Sequence, residues 1–85
     1  MLRIKYTKDA NGNVIGCRAE DPTAGYKREI TTPVNGGMWI DGKQVEGTCD
    51  FSLTGSAANQ RRQLRTYINM HTSYRYAVAC AEMGV

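Results

Sequence analysis

Eighty-five residues, of which 41% are apolar and 22% charged, suffice for one folded domain and are too hydrophobic for a disordered tail. A net charge of +3 is modest, and the pI of 8.9 falls short of the strongly basic balance of dedicated nucleic-acid binders. The opening Met1-Leu2-Arg3-Ile4-Lys5-Tyr6 alternates charged and apolar residues, which argues against a signal peptide or membrane span and for a cytoplasmic protein.

The first element in chain order has a period of two. Leu2, Ile4 and Tyr6 share one face and Arg3, Lys5 and Thr7 the other, the pattern of a strand with one buried side. Asn11-Gly12 tolerates positive φ and signals a turn, so Val14 to Glu20 is predicted to return antiparallel. Asp21-Pro22-Thr23-Ala24-Gly25 turns the chain again, and Tyr26 to Thr31 reads as a third strand. Pro33 to Gly37 breaks the pattern. Met38-Trp39-Ile40 and Lys43-Gln44-Val45 then flank Asp41-Gly42, a type I′ hairpin signal, and Cys49 to Leu53 is either an edge strand or a lead into the last element.

Thr54-Gly55-Ser56 supplies cap residues, with Ser56 the expected N-cap. No proline or glycine interrupts Ala57 to Met83. At 100° per residue, Leu64, Tyr67, Ile68, His71, Tyr74, Val78 and Val85 fall on one arc. Arg61, Arg62, Arg65, Asn69, Thr72 and Tyr76 fall on the other, as in an amphipathic helix. His71-Thr72-Ser73 favours helix weakly and is the point where that run could break. The expected fold is therefore α+β: three to five short antiparallel strands packed on one long C-terminal helix. It spans 1–85 as a single domain, with a β-rich region over 1–53 and the helix over 56–83. The expected shared core is Leu2, Ile4, Tyr6, Val14, Ile30, Trp39, Leu64, Tyr67, Ile68 and Val78.

Catalytic chemistry finds little footing. Cys17, Cys49 and Cys80 are odd in number and far apart, so they read as free thiols rather than a disulfide framework or zinc site. The one histidine, His71, lies on the apolar arc and reads as a core or interface residue; an enzyme built on it is the remote alternative. Glu20-Asp21 and Glu46/Asp50 border turns and read as solvated loop charges. Gly36-Gly37 lacks the lysine and helix start of a phosphate loop. No catalytic set, metal or cofactor is expected.

Charge points at a partner instead. Residues 1–50 carry seven Lys/Arg and seven Asp/Glu, whereas 51–85 carry Arg61, Arg62, Arg65 and Arg75 against Glu82 alone. Arginine presents a planar donor fork suited to carboxylates and phosphates. With Asn69 and Tyr76 the four arginines form a candidate binding face, for a phosphate backbone or an acidic protein surface, or simply a solvated helix side. Ala77 to Val85 is small and apolar all round, which suggests a second copy of the chain as a further partner. Trp39 either anchors the core or faces a partner.

The plan of short strands followed by one helix resembles AP2 DNA-binding domains and integrase arm-binding domains. These read DNA with sheets rich in arginine and aromatic residues; here residues 1–50 are charge-neutral. In size and plan the chain also looks like the small phage proteins that act on host machinery, anti-CRISPR proteins among them. The expected function is a non-enzymatic interaction module for a protein or nucleoprotein, in the form of such an inhibitor, with a DNA- or RNA-binding regulator as the alternative.

Overall fold

A computed structural model describes residues 1–33 and 36–84; Val34 and Asn35, inside the predicted 33–37 break, and Val85, on the predicted apolar arc, lie outside the described residues. Five strands form one antiparallel sheet in chain order: β1 (Arg3–Lys8), β2 (Val14–Asp21), β3 (Tyr26–Thr31), β4 (Trp39–Ile40) and β5 (Lys43–Gln44). Two helices follow, α1 (Ala57–His71) and α2 (Tyr74–Met83). The architecture is α+β, as expected.

Register explains the layering. Tyr6 lies opposite Cys17 and Cys17 opposite Ile30, while Ile4 lies opposite Ala19 and Ile30 opposite Ile40. These residues share the face that α1 covers with Leu64, Tyr67 and Ile68. Leu2, Ile4 and Tyr6 pack on the core only half-buried, and Cys17, Ala19, Tyr26 and Met38 complete it. The other face stays open, with the rows Arg3–Glu20–Lys27, Lys5–Arg18–Glu29 and Thr7–Gly16–Thr31–Trp39 across it.

Two expected core positions therefore change. Trp39 pairs with Thr31 on the open face and is half-buried outside the core cluster, while its neighbour Met38 is fully buried. Val78 also stays outside the cluster.

Local chemistry sets the turns. The Asp9 carboxylate accepts the N–H groups of Asn11 and Asn13, both at 2.9 Å, and shapes the β1–β2 loop. Asp41 and Gly42 both have positive φ, as a type I′ turn requires. Residues 49–53 add no strand. The Thr48 hydroxyl instead accepts the Met38 N–H and donates to the Val45 carbonyl, pinning this loop beside the hairpin.

The single long helix is corrected to two. Ser56 caps α1 as predicted, its Oγ accepting the Asn59 N–H at 3.3 Å. The break falls at Thr72-Ser73, where Thr72 is buried rather than on the polar arc. Its hydroxyl donates to the Ile68 carbonyl and accepts the Tyr26 hydroxyl at 2.6 Å. Ser73 takes a left-handed φ of 62°, which ends one helix and starts the next. A threonine bonded back to its own helix competes with propagation, and the tyrosine from β3 holds it there.

Two further polar links join the layers. The Val14 N–H donates to Gln60 Oε1 at 2.9 Å, and Gln60 Nε2 donates to the Gly55 carbonyl. The Tyr74 hydroxyl donates to Asp21 Oδ2 at 2.7 Å, and the Tyr26 and Tyr74 rings meet edge to face at 4.9 Å. Asp21 is only 4% exposed, so it is a buried anchor rather than a solvated loop charge. Bonds from Tyr74, the Met1 ammonium and the Ala24 N–H hold its carboxyl below the ordinary carboxylate range.

Candidate interaction surface

On α1, Arg62 and Arg65 are exposed and Arg61 is half-buried at the border of the stripe anchored by Gln60, Leu64, Tyr67 and Ile68. Burial raises the Tyr6 phenol of β1 above its ordinary pKa, and the positive charges of Arg61 and Arg65, one turn apart on α1, act against that rise. Arg62 is exposed and lines a groove on the α1 surface with Phe51, Thr66, Tyr67, Met70 and His71. Asn69 is half-buried on the same helix. Thus Arg61, Arg62, Arg65 and Asn69 share one helix. Arg75 and Tyr76, both exposed, follow the left-handed residue at 73, so the 100° phase that grouped them with the others does not carry through.

Among the described residues no charged side chain of α1 or α2 enters an ion pair or a hydrogen bond. Four of the seven acids of the first 50 residues are differently employed. Asp9 shapes a turn, Asp21 anchors α2, Asp41 accepts the Glu29 N–H, and Glu29 pairs with Arg18 at 3.4 Å. The open sheet face keeps Arg3, Lys5, Arg18 and Lys27 against Glu20 and Glu29. A region neutral by count is therefore polarised by face. The signal lay in the alternation at positions 3, 5, 18 and 27, which a regional charge total hides.

His71 is exposed, not part of the core. It sits at the end of α1 and stacks on Tyr67 with ring centroids 4.9 Å apart. The groove of about 410 Å³ beside it is lined by no carboxylate and no thiol. Cys17 is buried and its thiol pushed up to about 11 by desolvation, Cys80 is half-buried, and Cys49 is exposed. Among the described residues no three His, Cys, Asp or Glu side chains are grouped to hold a metal ion, and no helix is long and apolar enough to cross a membrane.

No family model, no curated protein and no solved structure matches the chain.

Proposed function

We propose that this chain is a non-enzymatic interaction module that docks an acidic protein or nucleoprotein partner through Arg61, Arg62 and Arg65, with Asn69 beside them. The observation that carries the reading is that these guanidinium groups have no acidic partner of their own among the described residues. Complementary charge of this kind steers encounter and fixes orientation. Inhibition of host machinery by a phage or mobile element is a use that suits such a module. Its test is capture of a partner from native host lysate, with and without nuclease, by the parent chain and by the triple variant Arg61→Glu, Arg62→Glu, Arg65→Glu. The variant is expected to fold and to lose the partner; a folded variant that keeps it refutes the arginine face.

A second reading is favoured by the open sheet face. Its cation excess, bordered by Trp39, suits a DNA- or RNA-binding regulator. Such binding should weaken with salt by roughly 0.9 log unit per log unit of salt for each phosphate neutralised on duplex DNA. No binding to duplex or single strands at about 50 mM salt removes it.

For α2 we propose a second copy as partner. No residue of this helix is buried, Ala79 and Ala81 are exposed, and Met83 is 76% exposed. Light scattering is expected to give twice 9.4 kDa, and Ala79→Glu to return the mass to that of one chain.

A further inference from the structure

We infer that the free edge of β1 is the seat for an extended acidic segment of the partner, which adds to the sheet as a sixth strand; this rests on the arginine-face reading. Among the described residues β1 is the outermost strand and pairs with β2 alone. Among the described residues no backbone N–H or C=O of Arg3–Lys8 bonds to anything outside that ladder. In an antiparallel pair every second residue turns both groups away from its neighbour, so the outer side offers donors and acceptors in alternation. The strand is six residues long, about 20 Å, enough for a short peptide to pair along it.

Charge selects the occupant. Side chains of an added strand alternate between the two faces of the sheet. On the open face they meet Arg3 and Lys5; on the helix face they run beside the half-buried Ile4 and Tyr6, where the charges of Arg61 and Arg65 act. Cations therefore line the edge on the open face, and positive charge also acts at Tyr6 on the helix face, so an acidic strand is complementary to the edge. A second copy of β1 is disfavoured, because its Arg3, Lys5 and Lys8 would meet the same charges. A phosphodiester chain is disfavoured too. Its phosphates accept hydrogen bonds but do not donate, which leaves the edge carbonyls without partners. A peptide backbone satisfies both kinds of group, as in strand addition to exposed sheet edges generally.

The probe is a synthetic peptide of sequence Glu-Glu-Val-Thr-Glu-Glu-Val-Thr-Glu-Glu, which places acids on both faces of a strand. It is measured by fluorescence anisotropy and by amide exchange on the full chain. A twin peptide, N-methylated at alternate residues, keeps the charge and loses the hydrogen bonds. The plain peptide is expected to slow exchange at alternate amides within Arg3–Lys8. The twin, and the double variant Arg61→Glu, Arg65→Glu, are each expected to bind at least about tenfold more weakly. Equal binding of the two peptides, protection elsewhere, or no binding up to about 1 mM overturns the seat at β1. If the twin binds as well as the plain peptide and the double variant loses both, the edge seat fails while the arginine face stands. If the double variant binds both peptides undiminished, the arginine face fails with it.

Discussion

The two halves of the molecule put their polar groups to opposite uses. In the sheet half, carboxylates shape and anchor: Asp9 forms a turn, Asp41 ties the hairpin to β3, and Asp21 receives Tyr74 from α2. In the helical half the anchors are Gln60, Thr72 and Tyr74, uncharged side chains that reach across to the strands, while the charges stay out of the internal bonding. A buried amide or hydroxyl has a smaller desolvation cost than a buried guanidinium, so it can serve as an interlayer link with a single partner. The polar links that hold the helices to the sheet thus come from neutral side chains of the helices, and among the described residues the helix arginines make no ion pair.

That contrast can be broken by substitutions that compare the two kinds of group. The largest expected effect sets the apolar baseline. Leu64→Ala removes a fully buried side chain between the layers and should cost about 2–5 kcal/mol in denaturant unfolding. Gln60→Leu and Thr72→Val each strip a buried partner from a group on the sheet, the Val14 N–H in one case and the Tyr26 hydroxyl in the other. Each should cost about 1–3 kcal/mol. The three arginines of α1 changed to glutamine should move the unfolding midpoint least, by no more than about 0.5 kcal/mol each. Arginine variants that destabilise as much as Gln60→Leu would erase the distinction.

The acid limb of stability sharpens the same point. The folded state holds the Asp21 carboxyl below its ordinary pKa, so it releases its proton more readily there than in the unfolded chain. Its stabilising contribution is complete above the ordinary carboxylate range and is lost as pH falls below about 4 toward the depressed folded value. Asp21→Asn should flatten the decline of the midpoint in that window. Tyr74→Phe, which removes the largest cause of the shift, should flatten it in part.

Much of the sheet was legible because its signals are local. Alternation in Leu2–Thr7, the Asp41-Gly42 pair and the Ser56 cap each act within a few residues. What escaped depends on distant partners. The place of the helix break was legible in the weak helix formers His71-Thr72-Ser73, but the contact that holds it was not, since Tyr26 lies 46 positions from Thr72. The exchange of Trp39 for Met38 in the core follows from a strand register that pairs Trp39 with Thr31. His71 carries the period of the apolar stripe, yet α1 ends there and leaves the ring exposed against Tyr67. Of the site, the α1 arginines were legible from charge alone. The influence of the Arg61 and Arg65 charges on Tyr6 was not, since it depends on how the helix lies over the sheet.

Trp39 is the chain's single tryptophan, and it stands on the open sheet face rather than in the core. The protein thereby carries its own optical sensor, placed on one surface and remote in the strand order from β1. A ligand that spreads over the open face should shift or quench its emission. A strand that adds at β1, or a surface that grips the α1 arginines, should leave the spectrum unchanged while binding is followed by another signal. A single titration thus distinguishes the two faces of the sheet without a label.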